Sequence, residues 1–141
     1  MSKTTTFEDL KVFQFGIELM VEVYRVTETY PKRELYGLAA QMQRASVSVV
    51  SHIGEGQGRL TFGEWRQMLS QGRGSLFELE AQTIASLKLG YLGDDAYRRL
   101  REKIRDTGCL LTGLIRYVQR KEAQVKSRPT SPGNTQRATR N

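Results

Sequence analysis

From residue 32 to residue 128 the chain contains no proline, and through most of that stretch apolar residues return at intervals of three and four. No other feature constrains the fold as tightly. Proline is the residue that most reliably breaks a helix, and the three-four spacing draws one apolar stripe at 3.6 residues per turn. A clear case is Leu38, Met42, Ala45, Val49 and Ile53. Beside it runs a polar stripe of Gln41, Arg44, Ser48, His52, Glu55 and Arg59. Small hydroxyls stand there in place of long charged side chains, which lets another backbone come close. Ser48, His52 and Glu55 are therefore expected at a subunit interface. Glycines at 54, 56 and 58 bring this helix to its end.

Three further segments read the same way. The first helix is expected to start near Phe7 to Asp9, after a threonine-rich leader in which Thr6 is the candidate N-cap. It carries two stripes. Leu10, Phe13, Ile17, Met20 and Tyr24 form one; Val12, Phe15, Leu19, Val23 and Val26 form the other. Lys11, Gln14, Glu18, Glu22 and Arg25 leave a narrow polar face. So wide an apolar surface exceeds what one bundle core normally hides, and self-association is the expectation. Tyr30-Pro31 ends the helix, because proline disfavours helical geometry in the residue before it.

Thr61, with Glu64 three residues on, predicts a capping box at the start of the third helix. Trp65, Leu69, Gly72, Leu76, Leu79 and Thr83 form its line, and Gly90 marks its end. Asp94 and Asp95 open the fourth helix, striped by Tyr97, Leu100, Ile104, Thr107, Leu111, Leu114 and Val118. There is no strand signal and no internal repeat. The predicted fold is all-α, an antiparallel up-down-up-down four-helix bundle over residues 1–125. Residues 126–141, rich in Ser, Thr, Pro, Gly and Asn, cannot bury enough surface to offset their ordering entropy, and are expected to be a disordered basic tail.

Charge and chemistry narrow the function classes. The net charge is +7, but the last sixteen residues hold four cations and no acid, leaving the body at about +3. One cysteine excludes an internal disulfide and fits a reducing cytosol. MSKTTTF lacks the apolar core of a signal peptide, and no apolar run is long enough for a membrane span. The expected compartment is the cytoplasm. The glycines at 54, 56 and 58 close a helix instead of leading from a strand into one, and no Gly-Lys-Ser/Thr follows, so they do not read as a phosphate cradle.

Glu78 and Glu80 lie about 200° apart on a helix and cannot converge on a ligand. Glu80 falls on a half-buried line and is expected to make an ion pair or hydrogen bond across helices, with an Arg of a neighbouring subunit as the candidate partner. His52 is the lone histidine and Cys109 lies far off in sequence, so neither a zinc set nor a nucleophile-base pair can be assembled. No cofactor, metal or catalytic activity is expected.

The residues resemble those of a known family. FEDLKVFQFGIEL, QMQRASVSVVSHIGEGQGR and GSLFELEAQTIASLKLGYL are similar, in order and spacing over roughly residues 7–120, to the bacterial four-helix bundle proteins tied to 23S rRNA intervening sequences. The resemblance implies a left-handed bundle assembled as a homopentamer, with an activity that is poorly defined and suspected to involve nucleic acid. A more distant resemblance is to the accessory protein of diversity-generating retroelements. That likeness implies RNA and a reverse transcriptase as partners, by analogy only. This chain has His52 where the family usually has Asn, and Gly54 where it usually has Ala.

The cluster Arg98, Arg99, Arg101, Lys103 and Arg105 has one acid, Glu102, between its members. These five are the expected phosphate contacts, with Arg44 and Arg59 as secondary candidates. Arg66 and Arg73 could extend the surface. The expected function is a non-catalytic homo-oligomer that contacts RNA or another nucleic acid through basic helix surfaces. The alternative is a protein-protein interaction scaffold.

Overall fold

A computed structural model describes residues 10–128. Four helices are present: α1 (Lys11–Thr27), α2 (Leu38–Gln57), α3 (Phe62–Lys88) and α4 (Asp94–Lys126), with a short 3-10 turn at Lys32–Glu34 between the first two. Helix α1 packs on α2 and α4, and α3 packs on the same two, while neither diagonal pair meets among the described residues. This is the four-cornered arrangement of an up-down-up-down bundle. Helix α1 starts at Lys11, because Leu10 is extended (φ −73°, ψ 128°) and provides no side-chain cap. The expected start at Phe7 to Asp9 and the Thr6 cap lie outside the described residues, as does the tail from residue 129 onward.

The ends of the helices follow local chemistry. Thr61 Oγ1 accepts from the Glu64 backbone N–H at 3.1 Å, the expected N-cap of α3. Gly90 takes φ +78°, a conformation that favours glycine. It lets Tyr91 N–H reach back to Ser86 O (2.9 Å) and Gly90 N–H to Leu87 O (3.0 Å), the paired bonds of a Schellman stop. Helix α2 has a cap that was not expected: Glu34 Oε1 accepts from the Leu38 N–H at 2.9 Å. Tyr91 donates its hydroxyl to Glu34 Oε2 at 2.8 Å, and its ring sits 5.2 Å from that of Tyr30. One end of the bundle is thereby fastened, with the α1–α2 and α3–α4 connections side by side.

The core takes the predicted stripes of α2, α3 and α4 almost whole. Met42, Val49, Ile53, Leu69, Leu79, Leu100, Leu111 and Val118 are fully buried. Ile115 is buried on α4, while Leu114, placed on that stripe, is half-buried. In α1 the second stripe supplies the buried positions Val12, Leu19, Val23 and Val26, with Phe15 half-buried, while Leu10 and Phe13 of the first stripe pack against the core edge. The first stripe stays half-exposed, Tyr24 at 42%, and Val21 beside it is 44% exposed. Glu22 departs from its expected place on the polar face. It is 6% exposed, since it neighbours Leu19, Val23 and Val26 on the helix surface, and Arg25 satisfies it at 2.6 Å.

Candidate nucleic-acid interface

Helix α4 holds the charge of the bundle. It carries nine Lys and Arg against five Asp and Glu, whereas the cations and acids of α1, α2 and α3 balance in each helix. The modest net charge of the body therefore understates how unevenly it is placed.

Within α4 the predicted cluster does not form one patch. At 100° per residue, positions 98, 101 and 105 fall on the flank toward α3, and 103 falls on the flank toward α1, with 99 between them. Lys103 and Arg99 border a shallow depression with Phe15 and Glu18 of α1. Three of the five are also engaged. Arg98 pairs with Asp95 at 2.6 Å. Arg101 donates to Glu80 at 3.0 Å and to the Tyr97 hydroxyl at 2.6 Å, with its guanidinium 5.6 Å from the Tyr97 ring centroid. Arg105 lies 3.7 Å from Glu102 and 3.5 Å from Asp106. Arg99 is exposed and has no ionic partner among the described residues, and the same holds for Arg116 and Arg120 further along α4. The last two were not singled out as phosphate contacts. They lie outside the dense run from Arg98 to Arg105, so charge density along the sequence does not mark them.

Between α3 and α4, on the Arg98 flank, lies an open groove of about 930 Å³. Leu76, Ile104 and Gly108 line it, and Phe77, Cys109 and Thr112 stand along it. Arg73, Arg98, Arg101 and Arg105 also border it. Glu80 does make its ion pair across helices, but with Arg101 of the same chain and not with an Arg of a neighbouring subunit. A second ion pair, Arg66 to Glu122 at 2.7 Å, joins the two helices nearer the start of α3. This hydrogen bond holds the Glu122 carboxyl below the usual glutamate range and raises Arg66 above its own. Arg66 is therefore committed to structure.

The remaining candidates stand elsewhere. Arg44 is exposed on α2, and Arg59, just past the end of α2, rests its guanidinium 3.5 Å from Met68 Sδ. Neither borders the groove. Ser48 and His52 face α3 of their own chain. Ser48 Oγ meets Ser75 Oγ at 2.8 Å, and His52 Nδ1 lies 2.8 Å from the Ser48 carbonyl oxygen. Glu55 is exposed. The close backbone approach predicted for this stripe is made within the chain, at Ser75 and Gly72, since a Cβ at Gly72 would stand 3.2 Å from His52 Cβ. Among the described residues no group of three or more His, Cys, Asp or Glu is placed to hold a metal ion. Among the same residues, no helix is long and apolar enough to cross a membrane.

The fold and the lopsided charge define an all-α four-helix bundle with one basic helix. The chain belongs to the 23S rRNA-intervening sequence protein family, whose pattern matches residues 8–113. Its structure is similar to a crystal structure of a protein of unknown function from the S23 ribosomal protein family of Bacteroides thetaiotaomicron. The two superpose with a TM-score of 0.69 at 15% identity, over 74% of this chain and 95% of the other. At that identity the likeness speaks for the fold alone. No curated protein matches the chain.

Proposed function

We propose that this protein is a non-catalytic homo-oligomer that binds RNA through backbone phosphates, with α4 as the contact helix and no reading of base sequence by hydrogen bonds. The observation that carries the reading is the concentration of the surplus charge in α4, where Arg99, Arg116 and Arg120 are exposed and have no ionic partner among the described residues. Arg98 and Arg105 are exchangeable contributors, since their ion pairs are solvent-exposed and worth little. The family name, which ties these proteins to an insert in ribosomal RNA, favours RNA as the polyanion. The half-exposed apolar stripe of α1 supports self-association, and five subunits is the number the family resemblance suggests. Repetition around a ring multiplies the field of α4. If five copies each neutralised two phosphates, log affinity would fall against log salt with a slope of roughly seven for a single strand and roughly nine for a duplex. A reverse transcriptase is a further candidate partner by analogy to the retroelement accessory proteins.

The test reverses Arg98, Arg99 and Arg105 to Glu. Arg101 is left intact because its reversal would set two carboxylates against each other at Glu80. Loss of RNA retention at low salt, with an unchanged mass by light scattering, is the expected result. Unchanged retention overturns the reading. It would favour the scaffold alternative, in which the apolar face of α1 docks another protein.

A further inference from the structure

The groove between α3 and α4 has features that phosphate binding does not require. Its rim is cationic but its floor is apolar, and it holds two aromatic side chains that are each met by an arginine. Phe77 is 57% exposed, with the Arg73 guanidinium 5.4 Å from its ring centroid. Tyr97 is met in the same way by Arg101. The acids that line the groove are matched: Asp95 by Arg98, Glu80 by Arg101, Glu102 by Arg105. Arg73 and Arg99 line it with no carboxylate partner among the described residues. An occupant that suits this surface has a flat apolar part for the floor and negative charge for the rim.

We infer that the groove receives unpaired bases of single-stranded RNA, stacked on Phe77, while Arg73 and Arg99 hold the adjoining phosphates. This rests on the RNA-binding reading above and narrows it to the unpaired regions of the ligand. A duplex keeps its bases inside the stack and offers this recess nothing but phosphate, whereas a single strand can splay bases onto an aromatic platform. Stacking of this kind tolerates any base, which suits a floor of Leu76, Ile104 and Gly108.

The test uses a labelled oligouridine and a labelled RNA hairpin of equal phosphate number, each titrated at fixed low salt against the assembled wild-type protein and Phe77→Ala. Loss of oligouridine affinity by about 5- to 100-fold, with hairpin affinity unchanged, is the expected result. A second readout needs no substitution. Cys109 is the only cysteine, is exposed and lines the groove. Oligouridine at saturation should slow its alkylation, and inorganic polyphosphate should not. If oligouridine binds but Phe77→Ala keeps full affinity, or the thiol stays equally reactive, the groove assignment fails while RNA binding by α4 stands. If neither RNA binds the wild-type protein, both fail. Protection of Cys109 by an acidic amphipathic peptide and not by RNA overturns it in favour of a protein partner. A thiol already unreactive in the free assembly overturns it in favour of a second copy.

Discussion

Helix α3 is packed on both sides, and the two sides differ. Toward α2 it presents Gly72 and Ser75, and its start meets Gly56 across the seam. The result is a hydroxyl contact of 2.8 Å and backbones close enough that an added Cβ would crowd its neighbour. Toward α4 it presents Arg73, Phe77 and Glu80 along the rim of an open groove crossed by ion pairs, while beneath them Leu76 packs against Gly108. Small residues line the first side; long or planar ones rim the second. One helix thus contributes a sealed seam and a receptive surface, and the difference is written in side-chain size along its two edges.

The sharpest way to break that contrast is to add a methyl group at chosen glycines. A Cβ at Gly56 would lie 2.7 Å from Trp65 Cδ1 and 3.4 Å from Met68 Cβ. Gly56→Ala gains about 1 kcal/mol of helix propensity but must displace a ring held in the seam, an overpacking cost of about 1–3 kcal/mol. The added atom falls well inside contact distance, so the clash should win, with a net loss of up to about 2 kcal/mol in urea unfolding at fixed protein concentration. Gly74 meets nothing within 4 Å. Gly74→Ala should therefore stabilise by about 1 kcal/mol. Gly72→Ala, two residues earlier, should fall between them, its propensity gain offset by the 3.2 Å approach to His52 Cβ. Equal effects at positions 72 and 74 would show that the seam is looser than drawn.

The closed side was legible in the sequence and the open side was not. Apolar spacing alone places Met42, Val49, Leu69, Leu79, Leu100 and Leu111 in the core, because a stripe at helical period has one way to be buried. The small polar residues at 48 and 52 announce a close approach, although not which backbone makes it. The groove depends on which side chains of α3 and α4 come to face one another, and those are distant in sequence. The run from Arg98 to Arg105 suggests one patch, but 100° per residue spreads it over two flanks, and its acids at 80, 95 and 106 are not all close in sequence. Glu34 capping α2 was also missed, since its partner Tyr91 comes from the opposite connection.

A smaller effect measures how the open side is held. Arg101 and Glu80 are each 35% exposed, so their coupling should be about 0.5 kcal/mol in a double-mutant cycle with Arg101→Met and Glu80→Gln, and should shrink with added salt. A coupling above about 2 kcal/mol, insensitive to salt, would mean the pair is buried on assembly and that the groove is covered there.

The smallest expected change is in acid. The Arg66 hydrogen bond depresses the folded Glu122 carboxyl, with the charges of Arg66 and Lys126 adding to the same effect. A carboxyl with a lower pKa folded than unfolded binds more protons in the unfolded chain. Its contribution is therefore complete above the ordinary glutamate value of about 4.3 and is lost as pH falls through the depressed folded value. Glu34 behaves alike, held down first by the Leu38 N–H and then by Tyr91. Glu34 fastens an end of the bundle and Glu122 bridges α3 to α4, so Glu122→Gln and Glu34→Gln distinguish the two places. Each variant should lose stability near neutrality and show a shallower decline than wild type between pH 5 and pH 3, on the order of the carboxylate range. If Glu34→Gln flattens the curve and Glu122→Gln does not, the proton uptake linked to acid unfolding comes from the joined turns and not from the bridge between α3 and α4.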